Sequence, residues 1–128
     1  MKSRDSLIRL KRFQVDEKRR RMTQIEAMIN EFTRMANDLE REIATEEQRS
    51  GITDSTHFAY STYARAARTR RENVMQSADE LRGQLEEARQ RLEESIEELG
   101  KVQSLEGREK AGEPLANASV QSLRVAGA

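Results

Sequence analysis

The side chains able to do chemistry are few, and their spacing narrows what that chemistry can be. The only histidine is His57, beside Phe58, and cysteine is absent. No histidine pair at helical spacing can hold zinc, and a Ser-His dyad can form only through His57. That residue is expected to be solvated or to cap a turn. The lack of cysteine also removes disulfides, thiolate metal sites and thiol nucleophiles. Acid clusters such as Glu86-Glu87 and Glu93-Glu94, with Glu97-Glu98 beyond Ile96, are read as solvated helix faces, because a surface without a pocket cannot shift their pKa toward catalysis. No glycine-rich loop precedes a helix, so no phosphate cradle is predicted. These observations predict a protein that is not an enzyme and binds no metal or cofactor.

Two features remain. Lys18-Arg19-Arg20-Arg21 with Arg9, Lys11 and Arg12 makes a basic N-terminal end. It is read first as pairing with acids of a second helix and solvation, next as a surface for an acidic protein partner. Nucleic acid comes last, because no aromatic residues interleave with the charge. The other feature is Phe58, Tyr60 and Tyr63, three of the chain's five aromatics. Residues two apart lie about 200° round a helix, so Phe58 and Tyr60 cannot share a face and at least one should be exposed. Tyr63 flanks the same region and can either meet a partner or pack over the nearby Gly51 turn.

The elements that must position these residues follow from composition and period. Of 128 residues, 35% are hydrophobic, 36% charged and 4% aromatic, and the formal net charge is zero. That is poor material for a globular core and suits long helices burying one stripe. Met22, Ile25, Ile29, Phe32, Ala36, Leu39 and Ile43 alternate in steps of three and four, the seam of a coiled-coil helix. Extended N-terminally, its a positions take in Ile8 and Val15, while Lys11, Lys18 and Glu46 are polar at d; Met28 and Met35 widen the stripe as adaptable filler. Ser3 and Asp5 suit a helix start. Gly51 suits its end, and Thr53, Asp54 and Ser55 offer N-caps for a second helix.

That second helix carries a seam of Tyr60, Ala64, Ala67, Val74, Ala78, Leu81, Leu85, Ala88, Leu92, Ser95, Leu99 and Val102, with Arg71 the one charged intruder. The predicted fold is all-α: helices over 3–49 and 55–106, a turn at 50–54, an antiparallel coiled-coil hairpin, and a disordered tail over 107–128 in which Leu115, Val120, Leu123 and Val125 form at most a transient helix. Residues 1–21 carry nine Lys or Arg and 79–98 carry eight acids; with Ile43 opposite about Ser61, Arg9, Lys11, Arg12, Lys18 and Arg19 fall alongside Glu98, Glu97, Glu94, Glu93, Glu87 and Glu86. Arg65, Arg68, Arg70 and Arg71 fall near Glu40 and Asp38. Such exposed pairs select a register more than they add stability. The start leads into no apolar signal region and no run reaches the roughly 18 residues of a membrane span, so the chain is read as soluble and not exported by a signal peptide.

Three stretches carry a resemblance to a known family. A basic first helix beginning Ser6-Leu7-Ile8-Arg9-Leu10-Lys11-Arg12, central heptads from Ile25 to Leu39, and a second helix opening His57-Phe58-Ala59-Tyr60-Ser61-Thr62-Tyr63 resemble the FliJ family of flagellar type III export proteins. The likeness spans about residues 1–106 and is closest to the short alphaproteobacterial forms. It implies a cytoplasmic antiparallel coiled coil, similar to the stalk of rotary ATPase γ subunits. It would dock in the hexameric export ATPase (FliI-like) and bind the large membrane subunit of the export gate (FlhA-like), coupling ATPase activity to export. Handling of empty export chaperones is implied as well, with no nucleic-acid partner and only peripheral membrane association through protein partners. The resemblance would place gate binding at Tyr63 and Ala67, with Tyr60, opposite the Leu39 to Ile43 part of helix one. It would place ATPase docking at Leu7, Arg9, Lys11 and Arg12. Arg70 and Arg71 depart from the smoother gate-binding surface of the family, and the C-terminal segment lacks the charged helical extension of longer relatives.

Two rivals are distinguishable. A homo-oligomeric structural coiled coil would associate through Met28 and Met35 instead of remaining a monomeric hairpin. A nucleic-acid-binding arm would lose affinity steeply with salt, and the zero net charge argues against it.

Overall fold

The computed structural model describes residues 2–111 and consists of two long helices packed against each other as an antiparallel coiled-coil hairpin. Helix α1 runs Lys2–Ser50 and α2 runs Thr62–Ala111. The heptad reading of both seams holds. Ile8, Val15, Ile25 and Ile43 of α1 are buried, and the intervening seam residues Met22, Ile29, Phe32, Ala36 and Leu39 are half-buried. From α2, Ala64, Ala67, Val74, Ala78, Leu81, Ala88 and Ser95 are buried; Leu85, Leu92, Leu99 and Val102 are half-buried. A narrow stripe with two wet flanks is what one partner helix can cover. Lys11 and Lys18, polar at d, are half-buried, and the Lys11 ammonium is held by Glu98 of α2. Met35 is half-buried and Met28 is 45% exposed, so the widened stripe is only partly covered.

Packing divides the hairpin into two units, one of residues 25–84 and one that pairs 2–24 with 85–111 among the described residues. The first contains the turn; the second contains the pair between Lys11 Nζ and Glu98 Oε2 at 2.9 Å. No helix among the described residues is long and apolar enough to cross a membrane.

The turn departs from expectation. Instead of a link at 50–54 and a helix from 55, residues 51–61 are turns and bends, and α2 begins at Thr62. The reason is local capping. Gly51, at φ +74°, closes α1 by donating its N–H to Glu47 O at 2.9 Å. Asp54 Oδ1 then accepts from both the backbone N–H and the hydroxyl of Thr56, and His57 N–H donates to Asp54 O. These bonds make Asp54 a turn former, not the cap of a long helix. Tyr60 N–H donates to His57 O, and Ser61 Oγ accepts from Ala64 N–H at 3.1 Å, which makes Ser61 the true N-cap. α2 also continues past 106 to Ala111; residues 112–128, where a disordered segment was expected, lie outside the described residues.

The later helix start moves the register. Ser61 Oγ meets Glu46 Oε2 at 3.4 Å and Tyr63 meets Glu42, so Ser61 stands nearer Glu46 than Ile43. Of the expected cross-pairs, Lys11–Glu98 and Arg71–Glu40 form, whereas Arg68 takes Glu47 in place of Glu40 or Asp38. Glu86, expected beside the basic end, accepts instead from Arg89 of its own helix, since an exposed guanidinium reaches an acid three residues away without ordering a second helix.

Candidate interaction surfaces

At the turn, the expected separation of the aromatics is found, although on turn backbone and not on a helix. Phe58 is 94% exposed and Tyr60 only 4%. His57 lies parallel to Phe58, ring centroids 4.7 Å apart, and its Nδ1 accepts from Ala59 N–H at 3.0 Å, so it caps a turn in solvent as expected. Tyr60 does not offer a surface. Its ring fills the seam, its hydroxyl donates to Glu47 Oε2 at 2.7 Å, and the Arg65 guanidinium sits over it at 5.5 Å. Burial, with the carboxylate acceptor beside it, pushes its phenol above the ordinary range.

Ala67 is likewise buried at 6%, because residues 60, 64 and 67 face α1. The expectation that Tyr60 and Ala67 meet a partner is therefore corrected: both are spent on the hairpin itself. Leu39 and Ile43, the corresponding part of α1, are half-buried and buried in the same seam. Tyr63 differs. It is 56% exposed, and its hydroxyl donates to Glu42 Oε2 at 3.2 Å, a bond that raises its pKa. An aromatic ring tethered at its tip and open on its face is a preorganised contact.

In the other unit, Leu7, Arg9 and Arg12 are exposed. Lys11 is half-buried and engaged, and its ammonium holds Glu98 below the usual carboxylate range. Two residues not assigned to a site from sequence share this region: Leu10 is 50% exposed and Phe13 is 56% exposed. Their signal was present as the spacing Leu7, Leu10, Phe13, each step turning about 60° away from the seam. Among the described residues no group of His, Asp and Glu side chains converges as metal ligands would.

Compared with known proteins, the chain matches no family model, no curated protein and no solved structure.

Proposed function

We propose that this chain is a non-enzymatic, cytoplasmic adaptor of a flagellar type III export apparatus, peripherally associated with the membrane through its protein partners. The reading rests on the resemblance of residues 1–106 to the FliJ family, and the antiparallel helical hairpin is compatible with it. The observation that carries it furthest is Tyr63, an aromatic side chain 56% exposed beside the turn, where the resemblance puts gate contact. Exposed Leu7, Leu10 and Phe13 offer apolar surface, and exposed Arg9 and Arg12 cationic surface, for the export ATPase. In this reading Tyr60 and Ala67 shape the gate surface from beneath. The coupling of ATPase to export then follows from one chain holding both partners, and export chaperones would bind as further clients.

The test is titration of the purified chain with the cytoplasmic part of an export-gate subunit. Replacing Tyr63 by Ala should weaken binding about tenfold, the loss of one interface anchor, while the helical circular-dichroism signal is retained. Unchanged affinity removes the Tyr63 assignment. A second reading, a homo-oligomeric structural coiled coil, draws on Met28 at 45% exposure; sedimentation showing a concentration-independent monomer excludes it.

A further inference from the structure

On the other flank of α2, Ser55 and Thr56 of the turn and Arg65, Arg68, Thr69, Arg71 and Glu72 of the helix enclose a cleft of about 380 Å³. Its lining carries three guanidinium groups and one carboxylate. Each guanidinium has five N–H donors, and the protein engages few of them. Arg65 Nη1 donates to Ser55 O at 3.2 Å. Arg68 Nη1 and Arg71 Nη1 reach Glu47 and Glu40 only at 3.5 Å. Glu47 Oε2 has a closer donor in the Tyr60 hydroxyl at 2.7 Å, which leaves it a weak counterion for Arg68. Arg71 Nε is inaccessible and has no hydrogen-bond partner.

Arg65 is also held in place, its guanidinium resting over the Tyr60 ring. Fixed donors in excess of acceptors, arranged round a concavity, suit carboxylate recognition. The three arginines lie six helical steps apart from first to last, about 9 Å at 1.5 Å per step. A single small oxyanion spans only one end of such a row, whereas successive carboxylates of a peptide meet all of it. Directly after Ser55 and Thr56 in the chain come His57 and Phe58, stacked and with Phe58 94% exposed, an open apolar ring two residues from the cleft lining.

We propose that the Arg65/Arg68/Arg71 cleft docks an acidic peptide segment of a partner protein, with an apolar residue of that segment lying on Phe58. Tyr63 lies about 200° round the helix from Arg65, so the site is separate from the surface assigned above and stands whether or not the export reading does.

The test is fluorescence anisotropy of the full chain with a labelled twelve-residue peptide repeating Leu-Glu-Glu, beside the same peptide with glutamine for every glutamate. Saturable binding of the glutamate peptide, weakened at higher salt, is expected. The triple variant R65Q/R68Q/R71Q should bind about tenfold more weakly, the combined effect of three exposed charge pairs. Phe58→Ala should cost about threefold, and Tyr63→Ala should change nothing. The glutamine peptide tests charge recognition with the chain itself unaltered, and R65K/R68K/R71K, which keeps the charges but loses the planar fork, should fall between wild type and the glutamine variant. Equal binding of both peptides, or full affinity in a folded triple glutamine variant, overturns the proposal. Displacement by inorganic phosphate at the peptide's own concentration would show a small-oxyanion site and overturn the peptide assignment.

Discussion

Replacing Ile25 by Ala tests the hairpin at its driest point. Ile25 is 1% exposed, the most deeply buried large side chain described, and it occupies a d position in the best-formed heptads of α1. Truncating a buried isoleucine to alanine costs about 2–5 kcal/mol through lost transfer energy and the cavity left behind. Two terms lower that figure here. Alanine is the better helix former, returning a few tenths of a kcal/mol, and a seam covered by one helix can close over a void more easily than a core packed from all sides. The net loss should lie near 2–3 kcal/mol, which for a chain of this size shifts the thermal midpoint by about 8–15 °C. The assay is thermal and urea unfolding by circular dichroism, with Phe13→Ala as control. Phe13 is 56% exposed, and its loss should stay within about 0.5 kcal/mol. Equal destabilisation by the two substitutions, or under 1 kcal/mol for Ile25→Ala, would refute the seam assignment. A midpoint rising with protein concentration would show that the partner helix comes from a second chain.

Ser61→Ala should destabilise by about 0.5–2 kcal/mol, read by urea unfolding, because it removes the side-chain acceptor from the first turn of α2; the same change at Ser55, one of three caps expected from sequence, should cost less. The pH dependence has a definite sign. The Tyr60 phenol is raised above its unfolded value near 10 by burial and by Glu47, so its stabilisation is complete below that value and is lost as pH rises through the folded one. Thermal midpoints should fall on the alkaline side, and Tyr60→Phe should flatten that fall; an unchanged alkaline limb in the variant would exclude Tyr60 as its source. Glu98 acts in the opposite direction: lowered by Lys11, it contributes above its unfolded pKa and ceases to as pH falls through its folded one, a limb that Lys11→Met should abolish in an acid titration of stability.

The seams were legible in the sequence and the turn was not, for one physical reason. Three-four spacing sums over many residues, so a misplaced position such as Arg71 or Lys11 is outvoted by its neighbours. The turn is decided by single side-chain bonds. Thr53, Asp54 and Ser55 all resemble caps, and nothing in their types shows that Asp54 closes on Thr56 while Ser61 caps the helix seven residues later. Seven residues are nearly two helical turns, and near the displaced start some α2 side chains meet other acids than expected, although Arg71 farther along still meets Glu40. Arg68 therefore meets Glu47, and Ser61 stands beside Glu46. The aromatics show the same limit. Period put Tyr60 in the seam and separated it from Phe58, but finding Tyr63 open and not packed over the Gly51 turn needed the structure.

Tyr60 links the two flanks of α2 without belonging to either. Its ring carries Arg65, and its hydroxyl takes the Glu47 oxygen that Arg68 also approaches, so the cationic cleft is organised from below by a residue that a partner cannot touch. On the same side of the junction, Ser61 and Tyr63 fasten to Glu46 and Glu42 of α1. A helix tip held by that many side-chain bonds presents both the Tyr63 face and the arginine row on a fixed backbone, and the ordering entropy that a flexible tip would lose on binding is already met in folding. The buried tyrosine thus explains why two unlike surfaces, one aromatic and one cationic, can occupy the first turns of one helix.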